Sequence, residues 1–208
     1  MRNRFVRVTF SCVLLACAGL AHAGGGPLGI DHVVTMDDKG IWKRSTQNAV
    51  LSVVVIGDLG AALWEGGETR IGKTLWQSVD SMLISTVAAN GAKLVFTRAR
   101  PSQTDDPNQW FKGGHHYSFP SGEVAAISGV VTPFIFEYAK DNPAVWALEL
   151  LPAYDAVARV KVHGHWQSDV LAGWAIGTAA GYYAHSRESP WTLGVLPHGV
   201  TVGFHKEW

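Results

Sequence analysis

The sequence predicts an all-α helical bundle closed by a short C-terminal β-hairpin. Three observations carry that reading. Long apolar stretches recur at Ala49 to Trp64, Val124 to Phe136 and Val170 to Ala184. Each is too short or too interrupted to cross a bilayer, which takes about 18–20 apolar residues; the first contains Asp58 and the others cover only 13 and 15 positions. After Pro190 the texture changes to alternation, with WTLGVL and VTVGFHKEW joined by Pro197-His198-Gly199, as strands around a tight turn.

The elements follow in order. Residues 1–23 carry Arg2, Arg4 and Arg7, an apolar run from Val8 to Leu20, and Ala21-His22-Ala23 ahead of three glycines, the order of a secretory signal peptide cut after Ala23. A rival reading takes Leu14-Leu15-Ala16-Cys17 as a lipobox that would leave an acylated Cys17. The signal implies a periplasmic protein, with association at the membrane left open. Both cysteines, Cys12 and Cys17, lie in this leader, so the remaining 185 residues must be held by packing alone. Residues 24–45 are glycine-rich and unpatterned and read as an N-terminal arm; 46–208 form a single domain. Helices are expected near Gln47 to Trp64, Ile71 to Asn90, Gly122 to Lys140, Ala144 to Val162 and His165 to Arg187, read as buried helices of a soluble bundle. Between the second and third lies a long loop, Arg98 to Pro120, with three prolines; loops of that length are more often functional than idle.

Charge excludes one class of partner. The chain balances 17 basic against 17 acidic residues, and without the leader arginines it carries 14 against 17. No basic surface for nucleic acid is indicated. Peripheral contact with a membrane stays open, and oligomeric state is not legible.

Polar residues cluster in three places. Lys93 and Arg100 stand seven apart before Pro101, a pattern that could equally offset a helix dipole. Pro120-Ser121-Gly122-Glu123 opens a helix; Ser121 reads as an N-cap, but Glu123 sits one residue early for a reciprocal capping box. In ARVKVHGHWQSDV, His165 and Asp169 are four apart and share a face if the helix begins at or before His165. The carboxylate then orients the ring and leaves its other nitrogen free; a surface His–Asp pair and a metal site from His163, His165 and Asp169 are the competing readings.

Together, K-x6-R-P, P-S-G-x and R-x5-H-x3-D resemble the three-part signature of the phosphatidic acid phosphatase type 2 superfamily, which includes lipid phosphatases, bacterial acid phosphatases and vanadium haloperoxidases. The match runs from Lys93 to Asp169, with two departures: Ala158 where serine is common, and Glu123 where the second motif has histidine. The resemblance implies a helical bundle with the site between helices. It implies that Lys93, Arg100 and Arg159, with Ser121 and the Gly122 amide, surround a phosphoryl group. His165 would attack phosphorus, Asp169 would hold its tautomer, and Glu123 would protonate the leaving oxygen. No cofactor is required, because three cations supply the positive charge. The partner is then a phosphorylated small molecule or lipid, a phosphomonoester or a pyrophosphate. The alternatives are a vanadate-dependent haloperoxidase and a catalytically degenerate phosphate binder. Trp110, Phe111 and Tyr117 could line an apolar rim, and His115 or His116 could serve as a substitute proton donor.

Overall fold

The three long apolar runs fall within three of five helices in the computed structural model, which describes residues 24–187 together with the strands 191–196 and 199–204. The five are α1 (Arg44–Glu65), α2 (Arg70–Phe96), α3 (Gly122–Tyr138), α4 (Leu150–Lys161) and α5 (Gln167–Ser186). The leader, its cleavage site and Cys17 lie outside the described residues. Trp191–Leu196 pairs antiparallel with Gly199–Phe204; their side chains and the turn residues 197–198 are likewise outside the description.

Helix α3 is the centre of the bundle and packs against both α2 and α5. Its Val124, Ala125, Ile127, Val131 and Ile135 are buried, and so are Ser128 and Thr132, the latter bonding back to the Ser128 carbonyl within the helix. Close approach of α5 depends on missing side chains. A Cβ at Gly173 would fall 2.3 Å from the Ser121 carbonyl oxygen, at Gly177 2.4 Å from that of Ala125, and at Gly181 2.4 Å from Thr132 Cβ. Spaced at i, i+4 and i+8, these glycines form one face, so α5 lies directly against the α3 backbone. Gly173 thereby fixes where α3 begins.

Several boundaries differ from the sequence reading. The stretch expected as one helix from Ala144 divides into a 3-10 turn, Pro143–Glu149, followed by α4. Pro152 accounts for the break: it has no N–H to donate, and it sits in the first turn of α4, where the first four N–H groups lack helical acceptors anyway. Helix α2 runs six residues past Asn90 because Gly91 is tolerated inside it, and it stops at Thr97, whose left-handed backbone bonds back to Lys93. Helix α5 begins at Gln167, two residues after His165.

Helix α1 corrects the expectation of a buried helix. Only Gln47, Asp58 and Ala62 are buried along it, whereas Val53, Ile56 and Trp64 are 72%, 69% and 92% exposed. Contrary to the reading that Asp58 interrupts it too much to span a bilayer, it is by length and composition the one helix among the described residues long and apolar enough to cross a membrane, because the helix extends to 22 residues, Arg44–Glu65. Its inward face is a polar-apolar seam in which Asp58 accepts from Ser78 of α2 at 2.5 Å. Burial pushes the Asp58 carboxyl up to about 6.

The glycine-rich arm is docked rather than free. Asp31, 1% exposed, accepts from Arg98 and from the backbone and hydroxyl of Ser168 at 2.6–2.7 Å. Further along, Asp37 and Val34 bond to Lys161 and His163.

Candidate active site

Three separate chain segments deliver the polar clusters to one cavity of about 630 Å³. The last turn of α2 brings Lys93, the loop after it brings Arg100, and the mouth of α3 brings Gly122 and Glu123. The end of α4 brings Arg159, and the turn into α5 brings His165. A short connection keeps the last two together: the amides of Gly164 and His165 both bond the Arg159 carbonyl. A Cβ at Gly164 would lie 2.5 Å from an Arg159 terminal nitrogen, so any larger residue there would displace that guanidinium.

The N-cap reading of Ser121 does not hold. Its side chain caps nothing, and its Oγ is buried without a hydrogen-bond partner. An unpaired buried hydroxyl at a helix mouth, beside unpaired amides, is a donor set waiting for an anion. Lys93 Nζ donates to the carbonyls of Tyr117 and Pro120, which aim it at the same place. Burial, with Arg100 nearby, brings Lys93 down to about 8. Nε of Arg159 is also buried without a hydrogen-bond partner.

His165 precedes the helix rather than lying on it, yet it still meets Asp169. Its Nδ1 stands 3.7 Å from Asp169 Oδ2 and makes no hydrogen bond, a separation of the kind that closes when a substrate docks. With Nδ1 turned to the carboxylate, Nε2 is the nitrogen left for the cavity. Burial drives the ring down to about 4 against the pull of Asp169, so it is neutral at ordinary pH.

Behind Asp169 is a layer of support that the sequence did not announce. Its Oδ1 accepts from Arg98 at 2.6 Å; its Oδ2 accepts from Ser118 at 2.5 Å and from the Trp166 amide at 2.9 Å. Burial would raise this carboxyl, but His165, Arg98 and Ser118 hold it below the usual range. Arg98 is fully buried between Asp169 and Asp31 and is covered by the rings of Trp110 and Trp166. Its proximity to Arg100 in sequence was a weak signal. Asp31, in an unpatterned arm, offered none.

Glu123 is the departure from the signature, and it is not alone. Arg44, at the start of α1, donates to both of its oxygens at 2.6 and 2.5 Å. Arg44 also donates to Gln47 Oε1 at 3.0 Å, and the same oxygen accepts from Arg159 at 3.2 Å. Gln47, wholly buried, therefore links the two arginines, and Arg159 Nε lies 4.0 Å from Glu123. Burial favours a protonated Glu123, but the Arg44 bond and the charges of Arg159 and Arg44 outweigh it and bring the group below its ordinary value. Behind this ring sits Asp155, whose oxygens are buried without hydrogen-bond partners and whose carboxyl burial pushes up to about 7, with Glu123 adding to the shift.

The cavity extends away from these charges along the seam between α1 and α2, lined by Leu51, Val55, Met82 and Leu83. From Lys93 back to Met82 is eleven residues of helix, or about 16 Å at 1.5 Å per residue. The apolar wall thus comes from helices and not from the loop aromatics. Trp110 instead packs on Phe96 and Phe119, and Tyr117 contributes its carbonyl. His115 and His116 do not line the cavity, and His116 bonds the Gly113 carbonyl. His163, weighed as a metal ligand, is engaged through Nε2 with Val34.

The sequence profile of the PAP2 superfamily matches residues 74–191, more than half of the chain and all three polar clusters. The chain belongs to the PAP2 superfamily. A lipid A 1-phosphatase of Porphyromonas gingivalis is 29% identical over 121 residues, which are 57% of this chain and 24% of that protein. An undecaprenyl-diphosphatase of Sulfolobus acidocaldarius is 32% identical over 124 residues, 58% of this chain and 56% of that protein. The chain therefore matches only a quarter to about half the length of these relatives. A crystal structure of Aquifex aeolicus LpxE aligns with a TM-score of 0.40 at 15% identity, covering 74% of this chain and all of that one.

Proposed function

We propose that this PAP2 member is a phosphatase acting on a phosphoryl group carried by a lipid chain. The observation that carries the reading is a single cavity with cations and a neutral histidine at one end and an apolar channel at the other, with the unpaired Ser121 hydroxyl one residue before the Gly122 that lines it. That matches an anionic head on a hydrocarbon tail. The named activities of the two relatives, on lipid A and on undecaprenyl diphosphate, support the same class.

In this reading Lys93, Arg100 and Arg159 hold the three equatorial oxygens, and their charge offsets what develops there in the transition state. Arginine suits two of these posts because its planar fork donates parallel bonds to a phosphate. Ser121 Oγ and the Gly122 amide add neutral donors. His165 Nε2 attacks phosphorus in line, and the bond to the leaving oxygen breaks with its electron pair. Asp169, braced by Arg98, keeps the proton on Nδ1 and stabilises the cationic phosphohistidine. Water then attacks phosphorus and returns the electron pair to Nε2. Protonation of the leaving oxygen by Glu123 requires Arg44 to release it first.

Export by the leader places this chemistry in the periplasm, and the exposed Val53 and Ile56 on α1, with Leu83, Val87 and Leu94 on α2, suit peripheral contact with a bilayer beside the apolar channel. Release of inorganic phosphate from a long-chain phosphatidic acid in mixed micelles tests the reading. Turnover that vanadate inhibits and that His165→Ala abolishes is expected. Full activity in His165→Ala would overturn the mechanism, and halide oxidation dependent on vanadate would assign a different reaction. Co-sedimentation with vesicles tests the membrane contact, which Val53→Asp with Ile56→Asp should remove.

A further inference from the structure

Asp155 has no part in the reaction above, yet it lies behind the group that must give up a proton. It is 1% exposed, both of its oxygens lack hydrogen-bond partners among the described residues, and it does not line the cavity. A buried carboxyl in that condition is costly to keep. The charges that reach it are Glu123 from α3, Arg44 from the start of α1 and Arg159, one turn further along α4 itself. Acids on the other elements packed against α4 are engaged elsewhere: Glu149 accepts from Trp174, and Asp169 of α5 accepts from Arg98 and Ser118. Gly40–Trp42, which also touches α4, carries no charged side chain, and Tyr154 donates to the Ile41 carbonyl. We propose that Asp155 is the proton store of the site and the second seat of Arg44: as a phosphoryl group docks, Arg44 passes from Glu123 to Asp155 and the proton of Asp155 passes to Glu123. The inference rests on the phosphatase reading above and supplies the release of Glu123 which that reading requires.

Two features support it. The first is a fixed pivot. Gln47 Nε2 donates to the Trp42 carbonyl at 2.7 Å, and Gln47 Oε1 accepts at 3.0 Å from the same Arg44 nitrogen that reaches Glu123. Arg44 can therefore turn away from Glu123 while keeping Gln47. The stacking of Trp42 on Tyr154, with the Tyr154 bond to Ile41, holds the start of α1 against the stretch of α4 that carries Asp155. The second feature is where the proton rests. Arg44 holds Glu123 as a carboxylate, whereas burial and the Glu123 charge push Asp155 up to about 7, so of the two acids Asp155 is the one that is protonated near neutral pH. A phosphate entering beside Glu123 disfavours the negative charge there and favours it on Asp155, further back.

Over a full cycle no proton is gained or lost by the pair. The Asp155 carboxylic acid gives its proton to Glu123 and becomes the carboxylate that Arg44 grips. Glu123 passes that proton to the leaving oxygen, which takes the electron pair of its bond to phosphorus and departs as an alcohol. When water attacks the phosphohistidine, Glu123 accepts one of its protons; Arg44 then returns to Glu123, and the proton returns to Asp155.

The test measures phosphate release from decyl phosphate, whose alkoxide needs a proton to leave, and from p-nitrophenyl phosphate, whose phenoxide needs little help. With kcat/KM referred to the substrate dianion, the decyl-to-nitrophenyl ratio in wild type should be level below pH 7 and fall about tenfold per unit above it. The loss of the Lys93 charge acts on both substrates and cancels. Asp155→Asn keeps the shape of the side chain and removes its proton, and should lower the ratio about tenfold or more at pH 6 and abolish the break near 7. Arg44→Gln, which leaves Glu123 free to take protons from water, should also remove that break. Infrared difference spectra with vanadate give a readout without turnover: a protonated-carboxyl band that shifts when vanadate binds, and that is missing from Asp155→Asn, is expected. Equal losses on both esters, a break that survives in either variant, or the lack of such a band overturns the proton store and leaves the phosphatase reading standing. Hydrolysis of neither ester by wild type overturns both.

Discussion

Lys93 offers a sharp test of the phosphate cradle, because the charge it contributes is lost within an accessible pH range. Its ammonium sits in the last turn of α2, largely out of water, with Arg100 as a like-charged neighbour, and the two effects bring it to about 8. Free enzyme at pH 9 then keeps the ammonium in about one molecule in eleven, and at pH 10 in about one in a hundred. If binding the phosphoryl group needs that charge, kcat/KM falls about tenfold per pH unit above 8. A bound phosphate favours the charged lysine, so kcat at saturation should hold to higher pH than kcat/KM does. Lys93→Arg carries a charge that does not titrate here; its rate at pH 7 should be lower, since the two side chains fit anions differently, but its alkaline limb should vanish. The assay is phosphate release at substrate well below KM from pH 5 to 10. On the acid side the neutral His165 persists to about 4, so the substrate's own ionisation near 6 should dominate there. A wild-type kcat/KM that stays flat to pH 10, or an unchanged limb in Lys93→Arg, would remove Lys93 from the cradle.

Other expected outcomes concern the scaffold. Arg98→Ala leaves Asp31 and Asp169 buried without their counter-charge and should destabilise the fold by about 3–5 kcal/mol, read by denaturant unfolding. Asp169→Asn should keep the fold and reduce kcat, since the amide cannot stabilise a charged ring. Gly173→Ala drives a methyl into the Ser121 carbonyl and should cost about 1–3 kcal/mol together with a lower kcat; a change in stability without one in kcat would separate Gly173 from the site. For Asp58 the native carboxyl is raised from near 3.8 to about 6, so the folded state binds more protons than the unfolded one between those values, and stability falls as pH rises through them. Asp58→Asn should therefore raise Tm at pH 8, where the buried charge costs about 2–3 kcal/mol, and change it little at pH 3, below both values.

The three polar clusters were legible because their spacing survives in one dimension, and so were the helices, whose apolar periodicity is local. What escaped was set by tertiary contact. Nothing local marks Asp31 as the partner of Arg98, because their bond spans 67 residues and the arm has no pattern of its own. Arg44 looked like an ordinary helix-start residue, and its meaning lies 79 residues away at Glu123. The exposure of Val53 and Ile56 could not be read either, since an apolar helix against solvent and one against a core have the same composition. The His165–Asp169 geometry was reached although its stated condition failed: the helix starts too late, but the turn at Trp166 still brings the ring to the carboxylate.

The docked arm and α1 carry a consequence for how far the signature can be transplanted. Residues 74–191 contain every motif of the family, yet a polypeptide trimmed to them would lack Asp31, Arg44 and Gln47. Arg98 would keep one of its two buried carboxylates, Glu123 would lose its bidentate partner, and the apolar channel would have a single wall. On the proposed reading the motifs specify which atoms meet the phosphorus, whereas the preceding fifty residues set the charge those atoms experience. Grafting another member's leading segment onto this signature should therefore yield an assembled pocket with altered leaving-group preference, and exchanges at that junction are where diversification of the site would begin.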